Sequence, residues 1–250
     1  GQVDAVGEEV TDIKPGDIVT CLGGGYTEFF VLPRESVAKL PDHLDPKIAL
    51  GEPLACVVHA MNRITAGPDD RVAIVGCGFM GMLALQVLKH RGAGYILGVD
   101  TIEERRKHAI TLGADEAMAP GEVPQVDDPL HKGNFDVVVE LAGVPEAIDL
   151  CGNLVKHHGH MNIVATHRSG GGMRNVNMYQ WNWKSITIHQ GHVRDHEGKI
   201  AAFHEGVDLM ASGAVKMDSL VKHYALDDAD QAFQDLISRK PGVYKAALVP

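Results

Sequence analysis

Apolar and polar positions alternate with a period of two over much of residues 1–50. The alternating stretches are bounded by turn-forming residues such as KPGD and CLGGG, and they read GQVDAVGEEV (1–10), DIVT (17–20) and YTEFFVLP (26–33). Alternation between turn signals is typical of half-buried strands. We therefore predict a small, twisted, barrel-like β unit at the start of the chain.

From about residue 56 the pattern changes to short apolar runs separated by helical segments. The predicted strands are RVAIVG (71–76), YILGVD (95–100), ADEAMA (114–119), FDVVVELAG (135–143), HMNIVAT (160–166) and SITIHQG (185–191). Six strands alternating with helices predict an α/β fold with a doubly wound parallel sheet covered on both faces. The tail from about residue 195 has two helical runs and a closing strand, KAALVP (245–250).

The stretch GCGFMG places Gly76, Gly78 and Gly81 in the spacing G-x-G-x-x-G, directly after a predicted strand and at the start of a predicted helix. In that context the first glycine allows a tight turn, the second a close approach of the backbone to a pyrophosphate, and the third close packing of helix on strand. Phosphates would lie at the positive helix N-terminus, beside Phe79 and Met80. An ordinary glycine-rich turn is the alternative, but the context favours a dinucleotide site.

The next predicted strand ends at Asp100, 19 residues after Gly81. An acid at this place can accept hydrogen bonds from the adenosine ribose and would repel a 2′-phosphate, which favours NAD over NADP. Asp100 could also cap the following helix, and the two roles could coexist. Arg105 lies near the same ribose or, equally well, on a solvated helix face.

Charge and cysteine usage exclude other classes. The 250 residues carry a formal net charge of −10 with histidines neutral, and no block of Lys or Arg offsets it, so a nucleic-acid partner is disfavoured. Apolar stretches are interrupted before the roughly 18 residues that a membrane span needs. A reduced, cytoplasmic setting is favoured because no Cys-x-x-Cys spacing or disulfide framework joins the four cysteines, Cys21, Cys56, Cys77 and Cys151.

Taken together, the motifs resemble those of the zinc-dependent medium-chain alcohol and polyol dehydrogenases, in the sorbitol- and threonine-type branch. The resemblance covers essentially the whole chain, and its landmarks include YTEFFVLP, GEPLACVVHA, VAIVGCGFMG, VVVELAG and YKAALVP. It implies a Rossmann domain plus a partial GroES-like β domain. The expected domains are a partial catalytic domain (1–55), an NAD-binding domain (56–193) and a C-terminal return to the catalytic domain (194–250).

The resemblance also implies roles for single residues. Glu52 stands 24 residues before Gly76, where family members carry a residue beside or on the catalytic zinc. A carboxylate at a helix start, followed by Pro53, is the other interpretation. His59, two helical turns later, is a candidate for the catalytic cleft or, more readily, a core histidine. The family's coenzyme contacts fall on Ala142 and Gly143 for adenosine, Val164 and Thr166 for nicotinamide, and Lys245 for the pyrophosphate, although Lys245 reads nearly as well as a surface lysine.

We assign no chemical role to the other polar and aromatic stretches. The histidines of HHGH, His157, His158 and His160, are expected to be solvent-exposed in a turn before a strand. Trp181 and Trp183 precede the last predicted strand of the sheet, and they are candidates for core or for a subunit interface. In the family this sheet edge pairs with its twin, which implies a homodimer or homotetramer.

Two departures from the family pattern concern zinc. The cysteine-rich lobe that holds a structural zinc is replaced by CLGGG, so a structural zinc is not expected. The family's Cys and His-Glu zinc ligands would precede Gly1, and we therefore expect a fragment of a longer enzyme rather than a form that has lost its metal.

The functional hypothesis is an NAD-dependent, zinc-type dehydrogenase that interconverts a secondary alcohol or polyol and a ketone. A zinc-free quinone or enone reductase of the same superfamily is one alternative, which Asp100 and Glu52 disfavour. A non-catalytic NAD-binding module is the other.

Overall fold

The computed structural model describes residues 1–124, 133–192 and 194–249. In these ranges the helices are α1 (Gly51–Met61), α2 (Phe79–His90), α3 (Glu103–Thr111), α4 (Pro145–Leu154), α5 (Met178–Lys184), α6 (His196–Ala211) and α7 (Ala229–Ile237). The strands are β1 (Val19–Cys21), β2 (Val37–Lys39), β3 (Arg71–Val75), β4 (Tyr95–Val99), β5 (Glu116–Met118), β6 (Phe135–Glu140), β7 (Val155–Ile163), β8 (Thr187–Gln190), β9 (Val221–Ala225) and β10 (Lys245–Val249). Among the described helices, none combines the length and the apolar composition that a membrane span requires.

The chain separates into two compact units. One unit comprises Gly1–Val58 together with Arg194–Pro250, and the other comprises His59–Val193. The boundary therefore falls inside α1, whose last three residues belong to the second unit.

The second unit is built on a six-stranded sheet in the order β5-β4-β3-β6-β7-β8, with every neighbouring pair parallel. This confirms the predicted doubly wound α/β fold. The central strands read as continuous apolar runs because both of their faces are covered; Val72 to Val75 are all buried. The strand order reverses between β3 and β6, which is the point where such sheets open a ligand crevice at the carboxyl ends of their strands.

A buried lysine closes the C-terminus of α4. Lys184 is fully buried at the end of α5, and its Nζ donates to the carbonyl oxygens of Gly152, Asn153 and Val155 at 3.0, 2.9 and 3.0 Å. The last carbonyls of a helix have no partner within the helix. Lys184 therefore serves as a side-chain cap that reaches across from a neighbouring helix.

The histidines of HHGH do not lie in an exposed turn, so that prediction is wrong. His157, His158 and His160 all fall within β7, and only His158 is exposed, with a φ of +57°. His160 stacks on His189 of the adjacent strand β8, with ring centroids 5.3 Å apart. The turn prediction fails because β7 begins five residues earlier than the apolar run HMNIVAT indicates.

The first unit contains less strand than its alternating pattern predicts. In the described residues β1 pairs antiparallel with β2, β9 pairs parallel with β10, and Gln2 bridges to Ile18. The predicted strands at 1–10 and 26–33 are wrong, since neither stretch forms a strand and the first pairs only through the single bridge at Gln2. Their alternation leaves large apolar side chains in solvent, and Phe29 and Val31 are 74% and 97% exposed.

A carboxylate holds the C-terminal part of the first unit together. Asp235 of α7 is buried and accepts hydrogen bonds from the Tyr224 hydroxyl of β9, at 2.8 Å, and from Lys240 Nζ, at 2.8 Å. Gln231 Nε2 adds a third donor at 2.6 Å. The hydrogen bond from Lys240 is the main reason why the pKa of Asp235 is lowered from 3.8 to about 2.

This contact predicts a specific loss of stability in acid. Because the folded-state pKa lies below the unfolded value, Asp235 stabilises the fold fully above pH 3.8, and the contribution is lost as the pH falls toward about 2. Asp235→Asn should lower the urea midpoint at neutral pH. The midpoint of this variant should then decrease less between pH 3.8 and about 2 than that of the unsubstituted protein. The exposed Asp218→Asn should leave both unchanged, and an equal effect of the two substitutions would contradict the role given to Asp235.

Candidate coenzyme site

Gly76 forms the corner between β3 and the loop that leads to α2. Its φ is +104°, in the region that favours glycine, and its amide donates to Val99 of β4 at 2.8 Å. A Cβ at this position would lie 2.6 Å from the amide nitrogen of Ala142 and 2.8 Å from the carbonyl carbon of Leu141. The backbone after β6 therefore presses directly against this corner.

The start of α2 has the form of an anion-binding helix end. Gly78 is the N-cap residue and offers no side chain to cap the helix. One turn into the helix, a Cβ on Gly81 would overlap the carbonyl oxygen of Gly76. The helix can approach the corner this closely only with glycine there. The helix begins with buried Phe79 and half-buried Met80, and its first N–H groups have no acceptor in a preceding helical turn.

Asp100 follows β4 directly and is buried, with 8% of its surface exposed. Its Oδ2 accepts from the amide of Cys77 at 2.9 Å, and its Oδ1 accepts from the amide of Ile102 at 2.9 Å. The alternative role of helix cap is wrong, because the N-cap of α3 is Ile102, two residues further on. Each carboxylate oxygen can accept a second hydrogen bond, so both keep capacity for a ligand hydroxyl.

Arg105 lies beside this carboxylate. Its Nη1 is 3.8 Å from Asp100 Oδ2, and a Cβ on Gly78 would lie 3.9 Å from the same nitrogen. The fingerprint glycines, the acid and the arginine thus meet at one end of the sheet. Cys77, in the same loop, is a buried thiol whose pKa is raised to about 12 by burial and by Asp100, so it is a packing residue at neutral pH.

The turns after β6 and β7 lie side by side at the same edge. Gly143 has a φ of +72°, and a Cβ there would meet the side chain of Ala165 at 3.4 Å. Val164 is half-buried and its amide donates to the Glu140 carbonyl at 3.0 Å, whereas Thr166 and Ala142 are exposed. The four residues expected at this part of the edge are therefore close to one another along two adjacent strands.

Beneath these turns lies a buried polar group that the sequence motifs do not predict. Glu140, the last residue of β6, is completely buried, and its Oε1 accepts from the amides of Ala142 and Gly143 at 2.9 and 2.8 Å. Its Oε2 lies 2.8 Å from His167 Nε2. The available signal was an acid at the end of an otherwise apolar strand, in VVVELAG, followed by a histidine just after the next strand.

The remaining predicted residues lie in different surroundings. Glu52 lies exposed in the first turn of α1, as the helix-start interpretation expects, and its role beside a metal stays a prediction. His59 is buried, as expected of a core histidine. Lys245 is half-buried at the start of β10, in the first unit, and its role toward a pyrophosphate stays a prediction.

The described residues do not by themselves make a catalytic zinc site. Glu52 Oε1 accepts from Cys56 Sγ at 3.4 Å, and burial together with Glu52 raises the pKa of that thiol to about 11, which keeps it protonated. No group of three or more His, Cys, Asp or Glu among the described residues is placed to hold a metal ion. A catalytic zinc takes three protein ligands.

Comparisons with known proteins agree with this geometry. Galactitol 1-phosphate 5-dehydrogenase of Escherichia coli (strain K12) is 27% identical over 199 residues, which cover 66% of this chain and 58% of the relative. The (R,R)-butanediol dehydrogenase of Bacillus subtilis (strain 168) is 30% identical over 227 residues, covering 88% of this chain and 63% of the relative. This chain therefore spans about three fifths of the length of each of these two relatives.

Among solved structures, a protein of Sinorhizobium meliloti 1021 described as a zinc-binding dehydrogenase and bound to NADP superposes with a TM-score of 0.82. The match covers 100% of this chain and 81% of that one. The sequence identity is 24%, which supports a shared fold and no more. Residues 80–212 match the family described as zinc-binding dehydrogenase. This chain belongs to that family, since the matched stretch covers more than half of its residues.

Proposed function

We propose that this chain binds NAD and takes part in hydride transfer between NAD and a secondary alcohol or polyol. The observation that carries the proposal is the backbone corner at Gly76, which only glycine fits, with the uncapped N-terminus of α2 and buried Asp100 beside it. A strand–turn–helix of this form suits a pyrophosphate, and the acid after the next strand suits a ribose. Bound NAD would supply the acceptor for a hydride.

Each residue of the site has a binding task in this proposal. Gly76 makes the corner, Gly78 leaves room for the pyrophosphate and Gly81 lets α2 pack against the corner. Phe79 and Met80 lie beside the pyrophosphate at the start of α2. Asp100 accepts from the adenosine ribose, beside Arg105. By the resemblance, Ala142 and Gly143, in the turn next to the reversal of strand order, border the adenosine side, and Val164 and Thr166, one strand further along the sheet, border the nicotinamide.

The substrate class rests on the relatives. They are named for a polyol phosphate and a diol, which supports a small secondary alcohol or polyol as substrate and a ketone as product. Glu52 and His59 stay candidates for the substrate side. The described residues do not fit a catalytic zinc, so what they contribute here is the binding and orientation of the coenzyme.

Assembly and compartment are also proposed. The edge strand β8 leaves Ile188 39% exposed, and Trp183, just before it, is 50% exposed. An edge strand with apolar neighbours is suited to pairing with a second copy, which supports a homodimer or a tetramer built from it. The four cysteines are free thiols, which supports the reducing cytoplasm.

The preference for NAD over NADP is tested by Asp100→Asn. The substitution keeps the size of the side chain and removes the charge that would repel a 2′-phosphate, and it leaves Arg105 Nη1, now 3.8 Å from Asp100 Oδ2, to attract that phosphate. The ratio of NADPH to NADH dissociation constants should fall by about tenfold, equivalent to about 1.4 kcal/mol. Fluorescence titration with each coenzyme measures it, and NAD-linked oxidation of a polyol panel reports activity.

Asp115→Asn is the matched control. Asp115 also bonds a backbone amide, that of Ile96, but belongs to the loop before β5 rather than to the glycine corner. Its substitution should leave the coenzyme ratio unchanged. Equal affinity of the unsubstituted protein for NADH and NADPH would overturn the preference for NAD.

A further inference from the structure

A hydrogen-bonded chain of three side chains runs beneath the edge of the sheet that follows β6 and β7. It begins at the buried carboxylate of Glu140, passes through His167 and ends at Arg174. His167 Nε2 lies 2.8 Å from Glu140 Oε2, and Arg174 Nε donates to His167 Nδ1 at 3.0 Å. Only 12% of the His167 side chain and none of the Glu140 side chain is exposed, so the contact between these two groups is largely shielded from water.

The direction of these hydrogen bonds fixes the state of the imidazole. A guanidinium has donors and no acceptor, so Nδ1 of His167 must accept from Arg174 and carries no proton. The ring proton is then on Nε2 and is donated to the carboxylate of Glu140. The result is a neutral imidazole between an anion and a cation, with every polar atom of the ring satisfied.

Arg174 also closes the loop that follows β7. Its Nη1 donates to the carbonyl oxygens of Ser169 and Met173, at 2.8 and 2.7 Å, and its Nη2 donates to Ser169 Oγ at 3.2 Å. Between these anchors the backbone passes through three glycines, residues 170–172, all with positive φ. The guanidinium thus gives a fixed form to a glycine-rich loop that has little conformational preference of its own.

At its Glu140 end, the hydrogen-bonded chain reaches the glycine corner. Glu140 holds the amides of Ala142 and Gly143, and the backbone of Ala142 is what a Cβ on Gly76 would strike. The carbonyl of Glu140 accepts from Val164 and Ala165 at 3.0 and 3.1 Å, which ties the end of β7 to the same residue. One buried acid therefore holds the turn after β6, which borders the reversal of strand order, and the end of β7 beside it.

We infer that His167 and Arg174 are positioning residues for the non-adenosine half of the dinucleotide. This inference rests on the proposed function. In a doubly wound sheet the two mononucleotide halves lie over the strands on either side of the reversal point, so β3 to β5 receive the half that bears the adenosine. The turn after β7, which carries His167 and leads into the loop that Arg174 closes, then borders the other half. The two side chains act through backbone placement and touch no reacting atom.

Two substitutions of His167 test the two hydrogen bonds of its ring separately. His167→Asn keeps an acceptor near the place of Nδ1 and loses the donor to Glu140, whereas His167→Gln keeps a donor near the place of Nε2 and loses the acceptor for Arg174. Arg174→Gln releases the loop while leaving His167 and Glu140 in place. The matched control is Arg168→Gln, at an exposed arginine of the same loop. Circular dichroism and the thermal midpoint establish that each variant is folded.

The readout is the affinity for NADH compared with that for AMP, which carries the adenosine half alone. His167→Asn and Arg174→Gln should weaken NADH by about tenfold and leave AMP within about twofold. The NADH affinity of His167→Gln should lie between those of the unsubstituted protein and His167→Asn. The NADH affinity of Arg168→Gln should equal that of the unsubstituted protein. If His167→Asn does not fold, Arg174→Gln decides the outcome, because its side chain lies in a surface loop.

Three results would overturn the inference. If the folded variants kept the NADH affinity of the unsubstituted protein, the hydrogen-bonded chain would not position the coenzyme. Equal weakening of NADH and AMP would show a general loosening of the unit, and an equal effect of Arg168→Gln would show simple loss of charge. If the unsubstituted protein bound neither NADH nor AMP, the proposed function itself would fall, which separates that failure from a failure of this inference alone.

Discussion

Replacing Gly76 with alanine should abolish measurable NADH binding and destabilise the second unit. The new Cβ would lie 2.6 Å from the amide nitrogen of Ala142, and the φ of +104° would be strained for any side chain. The obstructing atoms belong to the backbone and cannot swing away, so the corner or the turn after β6 has to move. We expect a loss of about 3 kcal/mol in the free energy of unfolding. Urea unfolding and NADH fluorescence titration measure the two effects.

Gly92→Ala separates strain from obstruction. Gly92 also has a positive φ, +88°, but a Cβ there would meet no atom within 4 Å. Its substitution should cost about 1 kcal/mol through backbone strain and leave NADH binding intact. Equal losses of NADH affinity in the two variants, or normal binding in Gly76→Ala, would contradict the role assigned to the corner.

Replacing Lys184 with methionine should produce the second large effect. Methionine fills a similar volume but leaves the carbonyl oxygens of Gly152, Asn153 and Val155 without the donor that now reaches them. Because these groups lie at a buried helix end, water can replace the ammonium only by entering the core. We expect a loss of about 3 kcal/mol in the free energy of unfolding, measured by urea denaturation.

Lys156→Met is the control for lysine replacement. Lys156 pairs with Asp136 on the same unit, and 45% of its side chain is exposed. Exposed ion pairs contribute little, so this change should cost less than about 1 kcal/mol. If Lys184→Met cost no more than Lys156→Met, the buried lysine would not be the cap of α4 that its contacts indicate.

The sheet could be predicted because its residues are constrained by one local rule. The central part of a strand buried on both faces is apolar, as in VAIV of β3 and VVV of β6, and the helices between the strands follow a different period. The glycine corner could be predicted for a related reason: a positive φ and a close backbone approach exclude other residues at Gly76. Such constraints act on neighbouring positions, so they are visible along the chain.

The first unit was predicted less well because alternation is ambiguous without a partner strand. YTEFFVLP alternates as a strand does, yet the described residues offer it no pairing, and Tyr26 is 85% exposed. Strand formation depends on contacts distant in sequence, which a local pattern does not contain.

The buried polar chain was missed for the same reason. Glu140, His167 and Arg174 are separated by 27 and then 7 residues, and no spacing rule links them. Lys184 is similar, since it lies about 30 residues from the carbonyls that it caps. These groups come together only when the parallel strands and their crossover helices are in place.

The most direct test of the coenzyme site is isothermal titration of the folded, unsubstituted protein with NADH and, separately, with NADPH. The glycine corner and Asp100 predict saturable binding of NADH at about one site per chain, with weaker binding of NADPH. Absence of any binding heat for either nucleotide, in protein whose circular dichroism shows the native fold, would contradict the assignment of this corner as a dinucleotide site.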